Sequence, residues 1–243
     1  MNTIVIIQAR MGSTRLPGKV LLPLGDSTVL DYVVSRCRKI QGVSHVIVAT
    51  SDLTEDDQIA HWCQEHEVDV FRGSQLDVLE RYYRCAQAYQ PEYVIRVTSD
   101  CPFVDYKLAE QTIQAMKTQP SDIVINDGQE QLTRGLSVEM ISYTALEKIY
   151  QQSSELRHRE HVTYYAYEYS EQFTSTTIIP PAILLHPQLR MTVDTMEDYE
   201  LCRILANRIE DSKNAPSEAY IDYLLQHPEV ASINAHIQQK PVQ

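Results

Sequence analysis

The opening of the chain concentrates positive charge and glycine in one short segment. Arg10, Arg15 and Lys19 follow the apolar run Thr3–Ile7, three of the seven glycines fall within the first 25 residues, and no acidic residue appears before Asp26. The whole chain carries a formal net charge of −12, so a local cationic cluster indicates an anionic ligand. Glycines let backbone N–H groups approach phosphate oxygens, Arg can bind them through paired hydrogen bonds, and Lys supplies a point charge. The segment predicts a site for a small anion, and a nucleoside triphosphate fits best.

The spacing in this loop differs from the two common phosphate-binding motifs. Five residues separate Gly12 from Gly18-Lys19, one more than in the P-loop motif, and Val20 stands where that motif has Ser or Thr. The G-x-G-x-x-G pattern of dinucleotide-binding proteins does not match either. The alternative is a solvated surface loop, which is what a generic charge cluster most often is.

Two carboxylates stand where extended runs end. Asp100 follows the predicted strand Tyr93–Thr98, and Asp194 follows another short extended run. Nucleoside triphosphates commonly bind together with Mg²⁺, and one or two carboxylates can hold that ion. The two aspartates are distant in sequence but could converge on one ion. The alternative for each is a helix N-cap, and Thr195 and Asp198 compete with Asp194 for that role.

The elements that must position these residues are those of an α/β fold. A chain of 243 residues with 43% hydrophobic and 22% charged content suits one domain, here residues 1–243. Runs rich in β-branched residues with little alternation are typical of strands buried on both faces; they are Thr3–Ile7, His45–Thr50, Val68–Phe71, Tyr93–Thr98 and Asp122–Ile125. Helical patterns lie between them: Thr28–Lys39, a helix with Thr54 as its N-cap, Gln75–Tyr89 with Leu76 on its buried face, and a helix after Asp105. This order predicts a mainly parallel, Rossmann-like sheet flanked by helices, with ligands beyond the carboxyl ends of the strands.

The alternation weakens after residue 125. Strands are predicted at Leu136–Ser142 and Phe173–Ile179, with helical stretches Tyr143–Gln152 and Glu155–Tyr169 between them. Six of the fifteen tyrosines lie in Tyr143–Tyr169, and Tyr is enriched in protein–protein interfaces. We therefore expect an excursion, in which about residues 126–188 leave the sheet and form a small subdomain. This subdomain should contact the acceptor and support a homodimer. The remaining predicted helices are Asp198–Ile209, Ser217–Gln226 and Glu229–Gln238.

The composition argues against several function classes. A sequence pI near 5.1 disfavours a nucleic-acid or membrane-surface partner, since those need extended basic faces. The five cysteines are scattered, none forms a C-x-x-C pair, and their odd number cannot close a disulfide framework, so we expect reduced thiols in a cytoplasmic protein. The first apolar run is too short for a signal peptide, and no run approaches the roughly 18–20 apolar residues of a membrane span.

The loop from Gln8 to Gly25, which reads QARMGSTRLPGKVLLPLG, resembles a known family. It is similar to the opening of the spore-coat polysaccharide biosynthesis protein F family. That family in turn resembles the cytidylyltransferases that make CMP-activated acidic sugars, such as CMP-3-deoxy-manno-octulosonate and CMP-sialic acid synthetases. The resemblance covers roughly residues 3–205 and continues through Val48–Ser51, Phe71–Ser74, Asp77–Tyr83, Asp100–Pro102, Arg134–Leu136, Glu160–Thr163 and Val193–Thr195.

The resemblance implies transfer of CMP from CTP to a hydroxyl of an acidic sugar, of the nonulosonate or octulosonate type, with release of pyrophosphate, in surface polysaccharide synthesis. It implies a homodimer, with Mg²⁺ on Asp100 and Asp194, and the expected catalytic residues are Arg10, Lys19, Asp100 and Asp194. The nucleotide-binding residues that we expect are Gln8, Ala9, Arg10, Gly12, Ser13, Lys19, Thr50, Ser51, Ser74, Asp77 and Arg81. Those expected to bind the sugar acid are Arg134, Glu139, His161 and Tyr165.

Three positions depart from the family's pattern and leave the acceptor open. Ser137 stands where the family commonly has Asp, Tyr164 where proline is usual, and Ser99 where glycine often precedes the metal-binding aspartate. The alternatives are another nucleotide, an acceptor such as a phosphonate, a polyol phosphate or a neutral sugar, or a non-catalytic protein that binds a nucleotide sugar. Asp77 and Arg81 have the spacing of an ordinary helix ion pair, and the sequence identifies no general base.

Overall fold

The strands of the protein build one mixed sheet and a small hairpin. The computed structural model describes residues 1–126 and 131–239. In chain order the strands are β1 (Thr3–Gln8), β2 (Pro23–Leu24), β3 (Ser27–Thr28), β4 (Val43–Ser51), β5 (Asp69–Gly73), β6 (Tyr93–Thr98), β7 (Ile123–Asn126), β8 (Glu139–Ser142) and β9 (Ser175–Ile178). Within these residues, seven strands form one sheet in the order β5-β4-β1-β6-β8-β7-β9, and β2 pairs with β3.

Helices cover both faces of the sheet. In chain order they are α1 (Val29–Arg38), α2 (Asp57–Glu65), α3 (Val78–Tyr89), α4 (Tyr106–Thr118), α5 (Tyr143–Gln152), α6 (Leu156–Glu160), α7 (Tyr164–Glu168), α8 (Met196–Arg208), α9 (Ser217–Gln226) and α10 (Pro228–Ala231). Short 3₁₀ turns occur at Lys19–Leu21, Thr54–Asp56, Ser170–Gln172 and Ala182–Leu184. In the part of the chain that is described, no helix is both long enough and apolar enough to cross a bilayer.

The sheet is mainly parallel, which confirms the predicted fold class. Strands β5, β4, β1 and β6 all run in one direction, and β7 pairs in parallel with β9. Strand β8 is antiparallel to both β6 and β7. Because β8 and β9 belong to this sheet, the excursion predicted over residues 126–188 returns to it and contributes two of its strands.

Strand β1 explains why the first apolar run lacks alternation. Ile4 and Ile6 pack into the core that includes α3 and α5, whereas Val5 and Ile7 pack into the core that includes α1, α4 and α8. All four side chains are fully buried. Burial of each contributes about 1.5–3 kcal/mol relative to exposure, so β1 anchors the loop that follows it against both layers of helices.

The order of the strands places a crevice at the start of that loop. From β1 the chain moves outward to β4 and β5, and then returns to β6 on the other side of β1. The carboxyl ends of β1 and β6 therefore flank the point where the strand order reverses. Ligands of open α/β sheets bind at such a point.

Several predicted boundaries are wrong, each for a local reason. Leu76 is 88% exposed, because α3 begins only after Asp77, whose Oδ1 accepts a hydrogen bond from the Glu80 N–H at 2.8 Å. Thr54 does not cap a helix; it begins the 3₁₀ turn Thr54–Asp56, and α2 follows.

The later elements are shorter than predicted. The strand predicted at Leu136–Ser142 is paired only over β8, and the stretch Glu155–Tyr169 consists of the two short helices α6 and α7. The predicted helix Glu229–Gln238 is restricted to α10, after which Asn234 turns inward and is 1% exposed. Its side-chain amide bonds to other elements, as described below, and this replaces the next helical turn.

Gly135 occupies a position that strongly favours glycine. Its φ is +99°, in the region that favours glycine, and a Cβ there would lie 2.6 Å from the carbonyl oxygen of Met191. This close approach allows the bridge between Arg134 and Arg190, which connects the two segments that line one side of the crevice.

We predict that Gly135→Ala destabilises the fold more than Gly42→Ala does. Gly42 also has a positive φ, of +91°, but the nearest atom to its Cβ position is 3.6 Å away. The backbone strain should cost about 1–2 kcal/mol at either position, and steric overlap at Gly135 should add roughly 1–3 kcal/mol. Urea unfolding of the two variants measures the difference. Equal losses would contradict the packing argument.

Candidate active site

A cavity of about 930 Å³ opens at the carboxyl edge of β1 and β6. Its lining includes the loop after β1, the segment after β6, and the paired segments around Arg134 and Arg190. The cationic loop singled out in the sequence is therefore one wall of this cavity. Its wall includes Arg10, Ser13, Thr14, Arg15 and Lys19.

Lys19 brings the two predicted aspartates together. Its Nζ lies 2.9 Å from Asp100 Oδ2 and 3.0 Å from Asp194 Oδ1. Gly18, with φ of +70°, turns the chain so that the 3₁₀ turn beginning at Lys19 can enter the crevice. Asp100 and Asp194 are 81 and 175 positions from Lys19 in the sequence, yet both carboxylates contact its ammonium group.

Neither aspartate serves as a helix cap. Asp105 caps α4 by accepting a hydrogen bond from the Leu108 N–H at 2.7 Å. Thr195 caps α8, in a capping box with Asp198. Asp100 and Asp194 are therefore left to act in the cavity, which both of them line.

Asp194 is in contact with three cations. In addition to Lys19, Arg15 Nη2 lies 2.9 Å from its Oδ1, and Arg190 Nη2 lies 2.6 Å from its Oδ2. Arg190 is itself held by Asp198, with 2.8 Å between Nε and Oδ1. The contacts join three cations to three carboxylates, so the cluster is formally neutral.

The pKa shifts follow from this cluster. Burial raises the pKa of the Asp100 carboxyl, but the charge of Lys19 and the hydrogen bonds from Thr98, Lys19 and Cys101 together hold that pKa below its usual 3.8. Burial lowers the pKa of Lys19, and the two carboxylates more than reverse this, so its pKa lies above the usual 10.5. Both groups are charged throughout the neutral range.

Asp56 holds the cationic loop in place. Its Oδ1 accepts a hydrogen bond from the Met11 N–H at 2.6 Å, and its Oδ2 accepts one from the Ser51 N–H at 3.2 Å and one from the Ser51 hydroxyl. Asp56 is fully buried, and it ties the loop after β1 to the end of β4. The sequence analysis did not identify this residue, because its partners lie in other elements.

The predicted nucleotide-binding residues divide into two groups. Those that line the cavity are Gln8, Ala9, Arg10, Ser13, Lys19 and Arg81. Those that do not line it are Gly12, Thr50, Ser51, Ser74 and Asp77. Thr50 and Ser51 are fully buried beneath the crevice, and the Ser51 hydroxyl is already used by Asp56.

Arg81 connects the cavity with a second one of about 730 Å³, and it lines both. Its Nη1 donates to the Ser74 carbonyl at 2.6 Å, and its buried Nε has no partner among residues 1–126 and 131–239. Ser74 lines the second cavity together with Phe71 and Gly73.

The expected ion pair between Asp77 and Arg81 does not form. Asp77 instead caps α3 and accepts a hydrogen bond from Arg159 Nε at 2.8 Å. Its role in the structure is to join α3 to α6.

Three of the four expected acceptor-binding residues line the cavity. Arg134, Glu139 and His161 do so. Tyr165 does not: its hydroxyl donates to Gln152 Oε1 at 3.3 Å, and its ring packs on Tyr169 with 4.6 Å between centroids.

Glu139 is engaged by its own neighbours. Its Oε2 pairs with Arg96 Nη1 and accepts a hydrogen bond from the Thr163 hydroxyl at 2.9 Å. Arg96 also donates to Gln8 Oε1 at 3.3 Å. Glu139 thus orients Arg96 at the floor of the cavity. A charged residue in the middle of the apolar strand β6 was a usable sequence signal for Arg96, and the sequence analysis did not use it.

His161 faces the cavity as a neutral ring at neutral pH. Burial lowers its pKa from the usual 6.5, and nearby Arg96 adds to the effect. A neutral imidazole can donate and accept hydrogen bonds but supplies no charge to an anionic ligand.

The two serines at atypical positions also line the cavity. Ser137 is one of the residues that line it beside Arg134 and Gly135. Ser99 donates its N–H to the Gln8 carbonyl at 3.0 Å, which ties the segment before Asp100 to β1.

The carboxylates of the cavity suit a magnesium ion that also binds the phosphates of a ligand. No group of three or more His, Cys, Asp or Glu side chains converges in the part of the chain that is described. Two carboxylates, Asp100 and Asp194, do converge on one cationic group. Mg²⁺ in nucleotide enzymes is commonly bound by one or two carboxylates together with phosphates and water, and this pair fits that pattern.

Comparisons with known proteins identify the family. The cytidylyltransferase family profile matches residues 4–228. The chain is 36% identical over 240 residues to the spore coat polysaccharide biosynthesis protein SpsF of Bacillus subtilis, covering 96% of this chain and 98% of that protein. It is 31% identical over 128 residues to the 3-deoxy-manno-octulosonate cytidylyltransferase of Agrobacterium fabrum, covering 50% and 49% of the two chains. A solved cytidylyltransferase structure from Leptospira borgpetersenii superposes with a TM-score of 0.88 at 30% identity, covering 99% of this chain and 100% of that chain. The chain belongs to the cytidylyltransferase family.

We predict that Asp56→Ala lowers the free energy of unfolding by about 1.5–3 kcal/mol, the range for hydrogen bonds to a charged group. The neighbouring Asp57 is a matched control, because it forms a partly exposed ion pair with Arg72. Such pairs contribute about 0–1 kcal/mol, so Asp57→Ala should have a smaller effect. Urea unfolding compares the variants, and similar losses at the two positions would contradict the anchoring role of Asp56.

The Lys19–Asp100 pair predicts a pH-dependent stability difference between the wild type and Asp100→Asn. The folded pKa of Asp100 is lowered, so its contribution is present above about pH 3.8 and is lost as the pH falls through the folded pKa. The folded pKa of Lys19 is raised, so its contribution persists up to about pH 10.5 and is lost only above that. In urea unfolding from pH 3 to 9, the difference in unfolding free energy between the two proteins should be constant above about pH 5 and should become smaller in acid. A gap that widens in acid would contradict this reading.

Proposed function

We propose that the protein is a Mg²⁺-dependent enzyme that transfers CMP from CTP to a hydroxyl of an acidic sugar and releases pyrophosphate. The observation that carries the proposal is the meeting of Lys19, Asp100 and Asp194 in the cavity lined by the cationic loop. Membership of the cytidylyltransferase family supports CTP as the donor. The names of the relatives support a sugar acid and surface polysaccharide synthesis.

The loop after β1 would bind the triphosphate. Arg10 and Ser13 line the cavity with no other element between them and its interior. Arg15 and Lys19 contact the aspartates in this state and would exchange part of those contacts for phosphate oxygens. Asp100 and Asp194 would hold Mg²⁺, which when bound supplies positive charge to the phosphates.

The second cavity would receive the cytosine. It shares Arg81 with the first cavity, so a nucleotide can extend from the loop past this guanidinium toward Gly73 and Ser74. Phe71 adds an aromatic side chain to this cavity, which suits a base.

The opposite end of the cavity would hold the acceptor. Arg134 is exposed there and can bind a carboxylate through two parallel hydrogen bonds. Neutral His161 would hydrogen-bond a sugar hydroxyl. Serine at position 137 leaves this end less acidic than the pattern with Asp, which favours an anionic acceptor.

The chain's residues would act by positioning and by charge. Lys19 and the arginines hold the triphosphate while Arg134 and His161 orient the acceptor hydroxyl for in-line attack on the α-phosphorus. No covalent intermediate with the protein is required.

The homodimer and the cytoplasmic location stay predictions. The tyrosines of the excursion contribute to a half-buried aromatic stack: Tyr150 packs on Tyr83 of α3 with 4.4 Å between ring centroids, and Tyr143 stacks near the same ring. Light scattering of the purified protein tests the dimer.

The proposal predicts nucleotide selectivity. CTP with MgCl₂ should raise the melting temperature more than UTP, GTP or ATP, because binding to the folded state alone stabilises it. A pyrophosphate-release assay with CTP, MgCl₂ and a panel of sugar acids should then give turnover with at least one acid. The variant Asp100→Asn should lose turnover by a factor of 10² or more, the effect of removing one preorganised charge group.

Two results separate this proposal from its alternatives. No CTP binding by calorimetry, together with no turnover on any sugar acid, would overturn it. Tight CTP binding that Asp100→Asn leaves intact, with no turnover on the whole panel in the wild type, would favour a non-catalytic nucleotide-binding protein.

A further inference from the structure

The end of the described chain forms part of the cavity. After α10, residues 232–239 cross the crevice near Arg190, and Asn234, Ala235, Ile237 and Gln239 line it. The family profile ends at residue 228, so this segment lies outside the part of the chain that defines the family.

Asn234 is the buried contact of this segment. It is 1% exposed, and its Nδ2 donates to Asp198 Oδ1 at 2.8 Å and to the Arg190 carbonyl at 3.0 Å. Both acceptors are buried, so the two protons of the amide are fully used. A side chain without two donors would leave at least one buried oxygen with fewer hydrogen bonds.

Asp198 connects Asn234 to Asp194 through hydrogen bonds. Its Oδ2 accepts hydrogen bonds from the N–H groups of Asp194 and Thr195, at 3.0 and 3.1 Å. Its Oδ1 accepts the hydrogen bond of Arg190 Nε at 2.8 Å. The backbone of Asp194 is thus fixed by the same carboxylate that Asn234 orients.

Arg190 fixes the other end of Asp194. Its Nη2 donates to Asp194 Oδ2 at 2.6 Å, which leaves Asp194 Oδ1 directed toward Lys19 and Arg15. Asn234 bonds to the Arg190 carbonyl and Gln239 Oε1 accepts from Arg190 Nη1 at 3.1 Å. The C-terminal segment therefore holds the Arg190 backbone and side chain.

We propose that Asn234 is a positioning residue for the reaction: it orients Asp198 and Arg190, and through them the Asp194 carboxylate that faces the donor phosphates. This inference rests on the proposed function, because that function gives Asp194 its role. It assigns the segment beyond the family profile to the active site rather than to the surface.

The test uses the full-length protein with Mn²⁺ as the probe. Electron paramagnetic resonance of free Mn²⁺ gives its affinity in the presence of saturating CTP, and calorimetry in EDTA gives the affinity for CTP alone. Asn234→Leu keeps the approximate volume and removes both donors. It should weaken Mn²⁺ binding about 10–100-fold, the usual effect of losing a group that orients a metal ligand, and should leave CTP binding in EDTA within about twofold of the wild type.

Two further variants separate positioning from general destabilisation. Asn234→Ser, which is smaller and keeps one donor, should weaken Mn²⁺ binding less than Asn234→Leu does. Ser232→Ala is the matched control, since Ser232 is exposed in the same segment and its hydroxyl donates to the nearby Glu229 carbonyl; it should leave both affinities unchanged. In the Asp194→Asn background, Asn234→Leu should cause no further loss, because residues that act through one another are not additive.

The possible failures are distinct. Folded Asn234→Leu and Asn234→Ser proteins with wild-type Mn²⁺ affinity would overturn this inference and leave the proposed function standing. A full further loss of Mn²⁺ affinity in the Asp194→Asn background would also overturn it, since Asn234 would then act independently of Asp194. A wild-type protein that does not bind CTP would overturn the proposed function and this inference together.

Discussion

The active cavity depends on one ammonium group held between two carboxylates. Without Lys19, Asp100 and Asp194 would face each other across a buried crevice, and like charges at short range in a partly desolvated site repel strongly. Lys19 removes that repulsion and Arg15 and Arg190 complete the neutralisation of Asp194. The paired aspartates can therefore exist in the folded protein before any ligand is bound. This preorganisation lowers the free-energy cost of binding a charged ligand and of developing charge during a reaction.

Other parts of the fold hold these charged groups in place. The sheet delivers Asp100 at the end of β6 and the loop at the end of β1. Asp56 holds the loop after β1 by accepting a hydrogen bond from the Met11 N–H. Asp198 holds Asp194 by accepting a hydrogen bond from the Asp194 N–H. Buried carboxylates that accept several N–H groups are strong anchors, because each hydrogen bond has a charged acceptor. The cations at the surface of the cavity are thus supported by anions beneath it, which explains how an acidic chain presents a positive loop.

The sequence predicted the charged residues that meet in the cavity better than the residues that hold them in place. Lys19, Asp100 and Asp194 follow strand-like runs, and the carboxyl ends of parallel strands share one edge, so their meeting could be inferred from local patterns. Asp56 and Arg190 gave no such signal, since their roles are set by contacts with Met11, 45 residues away, and with Asp198 after a turn. Leu76 had the spacing of a buried helical residue, but the cap formed by Asp77 starts the helix after it. Helical periodicity also continued past α10, where the hydrogen bonds of Asn234 to another helix end the pattern.

The burial of β1 on both faces sets an order in which parts of the site can open. Local unfolding in proteins proceeds from segments with few buried contacts, while central strands exchange their amide protons only with global unfolding. The loop that follows β1 is attached to such a strand, with Val5 and Ile7 in one core and Ile4 and Ile6 in the other. The wall formed by residues 232–239 follows the four-residue helix α10 and is held by the Asn234 amide and by the Gln239 side chain. Transient opening of the cavity is therefore expected to begin at the wall formed by residues 232–239, while the loop after β1 stays in place.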